Sequence, residues 1–193
     1  VTARVPLTLA ALLLASGCAH SPEPVFYALS ARPGAPHRTT PLVVELRRPS
    51  LPAYLDRQDI VRRATRERLD LGSDPRWAAP LDELTSNALA ADLTTRLPSC
   101  FIVTEGHGIA ATPDLRVELE ITRFELDEHG ELDLDALIAV RTNAPESRPL
   151  LQQEHFVSAP PAGDTAGTVA GMSEILARLA DAIAGSVEQV RGG

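Results

Sequence analysis

Histidine is the side chain best suited to proton transfer or metal ligation near neutral pH, and this chain has five: His20, His37, His107, His129 and His155. Their spacing offers little chemistry. They fall in a polar N-terminal stretch, a Pro/Gly loop, a Gly-His-Gly segment, a turn signal and a strand-like run. No two stand i, i+4 on a helix, and none joins a Cys/Asp cluster with ligand spacing, so no metal site is expected. There is no G-x-S-x-G nucleophile elbow, and no glycine loop opens a helix to cradle phosphate. Gly106-His107-Gly108 reads as loop chemistry. The carboxylates between 114 and 136 alternate with apolar residues and are expected to face water as a solvated surface, not to pair as general acid and base. The expectation is therefore no catalytic residue, no metal and no cofactor.

One cysteine does carry a chemical signal. A single charge, Arg4, precedes the apolar run 5–15, which would make about 16 Å of helix, too short for a hydrocarbon core of about 30 Å. Small residues follow, and then Cys18, in the order Ala15-Ser16-Gly17-Cys18. A charged start, a short apolar run and small residues form the layout of a secretory signal. ASGC after a leucine run resembles the bacterial lipobox, whose cysteine is thioether-linked to diacylglycerol and becomes the new N-terminus. The expected division is a signal peptide over 1–17, a lipidated tether over 18–24 and one domain over 25–193, with the acyl group on Cys18 as the only covalent attachment. Ordinary cleavage, leaving Cys18 a free thiol, is the alternative at this point. Ala19 stands where an aspartate would resemble the inner-membrane retention signal, which favours the outer membrane. Cys100 then has no partner, and its neighbours Leu97 and Phe101 mark it as a small buried hydrophobe.

Composition narrows the partners. The 193 residues carry a net charge of -8 with 44% hydrophobic and only 4% aromatic residues, so the core must rest on Leu, Val, Ile and Ala. Phosphate binding needs a concentrated basic face. The nearest approach is Arg62, Arg63, Arg66 and Arg68, which Glu67 and Asp70 interrupt. Those arginines read as a solvated or ion-paired face, and nucleic acid is not expected as a partner.

The elements follow from periodicity. Strands are expected over 25–29 and 42–46, and one or two short ones over 59–71, with a chain turn at 72–74. Pro80 suits the first turn of a helix, and Asp82 and Glu83 suit its positive end. Leu81, Leu84, Ala88, Leu89, Leu93 and Leu97 make its apolar stripe until Pro98. Period-two alternation over 115–126 slips at 122–123, which predicts a bulge, and a turn at 127–130 leads back along 132–140. A further strand is expected over 152–157 and a loop over 160–167. Val169, Met172, Ile175, Leu176, Leu179, Ile183, Val187 and Val190 then mark a final helix. The order implies an α+β single domain: a mixed or antiparallel sheet with two long helices packed on one face.

Against that frame the stretch LPAYLDRQDIVRR (51–63) is unusual, because it mixes five apolar residues with both charge signs. With DPRWAAPLDEL after it, it resembles the ABC-type transport auxiliary lipoproteins, the PqiC-like family. The residues that carry the likeness are Pro52, Tyr54, Leu55, Ile60, Val61, Arg76, Trp77, Ala78, Pro80 and Leu81. The resemblance implies a non-catalytic outer-membrane lipoprotein on the periplasmic face. It would dock the MCE-domain periplasmic protein of an ABC/permease system that moves lipid between membranes, and a homo-oligomer matching a multimeric tube is compatible with it.

Tyr54, Leu55, Asp56 and Arg57 are the candidate partner-binding residues, an amphipathic aromatic beside charges on a proline-stiffened segment. The alternative is that Tyr54 and Leu55 cover the sheet edge while Asp56 and Arg57 pair internally. Trp77 reads as core. The competing functions are another envelope scaffold lipoprotein and a periplasmic lipid-modifying enzyme.

Overall fold

The computed structural model of the chain describes residues 23–106, 111–144 and 146–192. The expected signal peptide, Cys18 and His107 lie outside the described residues. Eight strands and two helices follow in the order β1 (Val25–Tyr27), β2 (Val43–Leu46), β3 (Asp59–Arg63), β4 (Leu69–Trp77), α1 (Leu81–Arg96), β5 (Phe101–Thr104), β6 (Leu115–Leu126), β7 (Leu132–Thr142), β8 (Leu150–Ser158) and α2 (Thr165–Gly192). The α+β class with a single domain is as expected.

The long strand β6 organises the sheet. One of its edges pairs with β7 along its length, and β7 pairs with β8, all antiparallel. The opposite edge is shared in sequence. Parallel β2 takes Leu115, Arg116 and Val117, an isolated bridge joins Ser50 to Glu120, and β3 meets Leu126. Strand β5 lies outside β2, while β4 and then β1 lie outside β3. Residues 51–58 therefore have to leave the sheet edge after Ser50 and return at β3. That detour makes the loop.

Period-two alternation sorts the hairpin as expected on its inner face. Leu115, Val117, Leu119 and Ile121 of β6 and Leu132, Leu134, Ala136, Ile138 and Val140 of β7 are buried. The register shifts between Ile121 and Arg123, so that Phe124 and Leu126 stay on the core side. Gly130, with φ of 80°, closes the hairpin turn, where Asp127 Oδ1 accepts the backbone N–H groups of His129 and Glu131.

Helix α2 packs on β7, β8 and β6, with Ile175, Leu179, Ala180, Ile183, Ala184 and Val187 buried. Asp164 caps its start by accepting the N–H of Gly167 at 2.7 Å. Helix α1 begins after Pro80, which holds the N-cap position and not the first turn, and ends at Leu97, whose N–H reaches Leu93 O at 2.8 Å. It packs on α2 and β5. Among the described residues no helix is long and apolar enough to cross a membrane.

Two expectations need correction. Residues 72–74 do not turn the chain. They lie within β4 as a wide irregularity, since Val61 pairs Leu71 while Asp59 pairs Arg76, and the reversal is at 64–68, where Ala64 N donates to Arg68 O. Nor do all the hairpin carboxylates face water. Glu125 and Asp133 are buried, for reasons found in the loop and cations laid over them.

Candidate functional site

The 51–58 loop is tightly wound. Leu55 N donates to Pro52 O at 2.9 Å and Arg57 N to Leu55 O at 2.9 Å, while Ser50 is stitched to β6 through Leu119 O and Ile121 N, both at 2.9 Å. Leu55 is 2% exposed and belongs to the core. Tyr54 is half-buried, and its hydroxyl donates to Glu125 Oε2 at 2.6 Å. The other oxygen, Glu125 Oε1, takes Arg63 Nε at 2.7 Å and Nη2 at 2.5 Å. The Arg63 guanidinium lies 5.9 Å over the Tyr54 ring, and its Nη1 donates to Arg66 O at 3.0 Å.

This explains how a glutamate can sit buried on the outer face of the sheet. Its charge is matched by one arginine and hydrogen-bonded by one phenol, which a buried carboxylate requires. Burial, then the hydrogen bond to Glu125, push the Tyr54 phenol well above its ordinary range. Burial alone would lower the Arg63 guanidinium, but Glu125's hydrogen bond and charge more than offset it, so it is held above its usual value. At neutral pH the phenol is therefore neutral and the guanidinium charged.

The four residues singled out by the sequence are thereby divided. Tyr54 and Leu55 point inward and cover the sheet edge. Asp56 and Arg57 are exposed, and among the described residues neither side chain has a hydrogen-bond or ion-pair partner. The arrangement is a loop pinned from below by Leu55, Tyr54 and a buried ion pair, presenting one acid and one base to the outside. Trp77, at 2% exposed, is core, as is Cys100 at 9%, whose Sγ lies 3.2 Å from Thr39 Oγ1.

A second buried charge cluster fastens the segment that follows the N-terminal tether. Arg96 of α1, 1% exposed, sends Nε to Asp181 of α2 at 2.5 Å and Nη1 to Arg32 O at 3.0 Å. Asp92, one turn earlier and fully buried, accepts the N–H of Arg32 at 2.5 Å, and His37 N donates to Arg96 O at 2.7 Å. Gly34 lies on the Arg96 guanidinium so closely that a Cβ there would fall 2.2 Å from Cζ. Burial is the main reason the Asp92 carboxyl is held above the usual carboxylate range. The 30–37 segment, which follows β1, is thus strapped to α1, and Arg96 ties it on to α2.

The described clefts are open and lined by charge. One of about 420 Å³ is bordered by Arg47, Arg48, Glu105, Glu118 and Glu120, and one of about 530 Å³ by Arg62, Arg63, Asp70 and Glu128. Neither brings a nucleophile, a base and an orienting group together as acyl or proton transfer demands.

Sequence reasoning missed Glu125, Asp92 and Arg96, and it placed Arg63 on a solvated or ion-paired face without its partner. Each looked like one more charged residue on an amphipathic element, and only the loop or helix laid over it distinguishes it.

With this geometry in hand, comparison with known proteins is informative. The family model for ABC-type transport auxiliary lipoprotein components matches residues 27–184. No curated protein matches the chain closely enough to count as a relative. Among solved structures, the crystal structure of an uncharacterized protein is similar with a TM-score of 0.71 at 16% identity, covering 86% of this chain and 99% of that one. Protein XCC0632 from Xanthomonas campestris, of the DUF330 family, is similar with a TM-score of 0.70 at 16% identity, covering 86% and 95%. At these identities the likeness to the two structures is one of fold.

Proposed function

Because the chain belongs to the ABC-type transport auxiliary lipoprotein component family, we propose that it is a non-catalytic, lipid-anchored outer-membrane component that docks a periplasmic MCE-domain protein and so supports lipid movement between the two membranes. The observation that carries this reading is the family match, which runs from β1 into α2. Cys18 carries the acyl anchor, and the tether is short: the seven residues 18–24 span at most about 25 Å. The domain therefore works near the membrane surface.

The loop 51–58 is the docking element. Tyr54 and Leu55 anchor it, and Asp56 and Arg57 make the contact. A loop prepaid in conformational entropy by its buried anchors binds with less ordering cost than a free one. Opposite charges at its tip set partner choice more than raw affinity.

Reversing both charges, Asp56→Lys with Arg57→Glu, should reduce co-purification with the MCE-domain protein by about tenfold or more, because each contact then meets a like charge. The melting temperature should stay within a degree or two, as befits exposed positions. Undiminished co-purification by a folded double variant would remove the loop from the docking surface.

A further inference from the structure

On the outer face of the hairpin, strand register assembles a group that linear spacing hides. Asp133 and Asp135 are two apart on β7 and so share a face, and His155 of β8 stands directly across from Asp135. One ligand-type atom from each lies within 4.8 Å of the other two. His155 Nδ1 is 2.7 Å from Asp135 Oδ1 and 3.5 Å from Asp133 Oδ1.

Asp133 is the informative member. Its side chain is 7% exposed, and its Oδ2 is held by Arg123 Nη1 at 2.5 Å. Its Oδ1 is buried without any hydrogen-bond donor among the described residues, and it is aimed at His155. A buried carboxylate oxygen left without a donor is costly, and few native structures keep many such atoms. Asp135 and His155 form an accessible rim, with side-chain exposures of 32% and 57%. We propose that Asp133, Asp135 and His155 form a binding site for a divalent cation of the zinc class, with Asp133 Oδ1, Asp135 Oδ1 and an imidazole nitrogen as ligands and the remaining position open to water.

The donor set selects the class. One imidazole and two carboxylates suit zinc and its neighbours, whereas magnesium and calcium favour oxygen alone. Ligand atoms around a tetrahedral zinc stand about 3.3 Å apart, a spacing that bracketed pairs at 2.7 and 3.5 Å reach with small side-chain rotations. The charge balance also fits: two carboxylates against the Arg123 guanidinium leave one net negative charge to attract a cation. Glu125, the next carboxylate on this face, is already satisfied by Arg63 and Tyr54.

The β6 bulge has a part in this, because the register shift between Ile121 and Arg123 sets Arg123 opposite Asp135 and within reach of Asp133. Arg123 thus orients Asp133, as hydrogen-bonding partners orient metal ligands generally. A bound cation would bridge β7 to β8, the edge strand that, among the described residues, pairs only with β7.

The test is a calorimetric titration of zinc chloride into the full chain, purified and freed of metal, with a parallel thermal melt. The expected result is one saturable equivalent of zinc and a raised melting temperature. His155→Ala and Asp135→Asn, both at accessible positions, should weaken binding by at least about tenfold and remove the thermal shift. Magnesium should not substitute. Absence of saturable binding, or equal binding by wild type and His155→Ala, would overturn the proposal. So would equal affinity for magnesium, which would remove the imidazole from the site.

Discussion

Glu125→Ala is expected to destabilise the domain by about 3–5 kcal/mol, the usual cost of breaking a buried ion pair from one side. The carboxylate is fully buried and is the common partner of Tyr54 and Arg63. Its removal leaves a mostly buried guanidinium, with a side-chain exposure of 15%, and a desolvated phenol without their acceptor. Tyr54→Phe removes only the hydroxyl, leaves Arg63 on Glu125, and should cost about 1–2 kcal/mol. Urea unfolding of both variants measures the difference. The effect should also be local: amide hydrogen exchange over 51–58 should quicken more than exchange in α2, because the loop loses its anchor while the helix keeps its core contacts. Equal stability of Glu125→Ala and wild type would mean that the triad is not what holds the loop.

Arg96→Ala should be comparably severe, at about 3–5 kcal/mol. It deletes a side chain that is 1% exposed and links α1, α2 and the 30–37 strap. It also leaves Asp92 as a buried carboxylate with only the Arg32 N–H to meet it. The pH dependence gives this prediction a distinctive sign. The Asp92 carboxyl is already held above its unfolded value, chiefly by burial. A group shifted that way contributes stability fully below its unfolded pKa, about 3.9, and loses it as pH rises through the folded pKa. Without Arg96 the ionised form is less favourable still, so the deficit should be largest at neutral pH and shrink on mild acidification. Urea midpoints at two pH values on either side of that window check it. A deficit that grows on acidification would show that Asp92 is not the group left exposed to the loss.

What was legible in the sequence is what local period controls. The α2 stripe from Val169 to Val187 needs only 3.6-residue spacing to be seen, and the β6–β7 hairpin only alternation. Its bulge announced itself because Phe124 and Leu126 come back in the wrong phase after Ile121. The stop at Leu97 was marked by Pro98. The irregularity at 72–75 was misread because a Gly-Ser-Asp-Pro string looks like a turn, while the strand continues through it on Gln58 O, which accepts Trp77 N at 2.7 Å.

The buried charges were illegible for a different reason. Glu125 follows Glu118 and Glu120 in an alternating strand, yet those two stay on the outer surface, Glu118 paired with Arg141. Glu125 alone is covered by a loop some seventy residues away. The Asp133–Asp135–His155 group depends on the β7–β8 register, which no spacing rule contains. The stretch 51–63 stood out for its mixture, and the structure sorts it: Leu55, Ile60, Val61, Tyr54 and Arg63 are packed or paired, while Asp56 and Arg57 are exposed.

The central claim is that this domain is held at the outer membrane to receive an MCE-domain protein. A crosslinking pull-down from envelopes of the native cell, comparing wild type with Cys18→Ser, addresses it most directly. The account predicts that wild type captures an MCE-domain protein from the outer-membrane fraction and that the unlipidated variant captures much less. Capture of cell-wall or barrel-assembly components in its place, with no MCE-domain protein in either sample, would contradict the docking role.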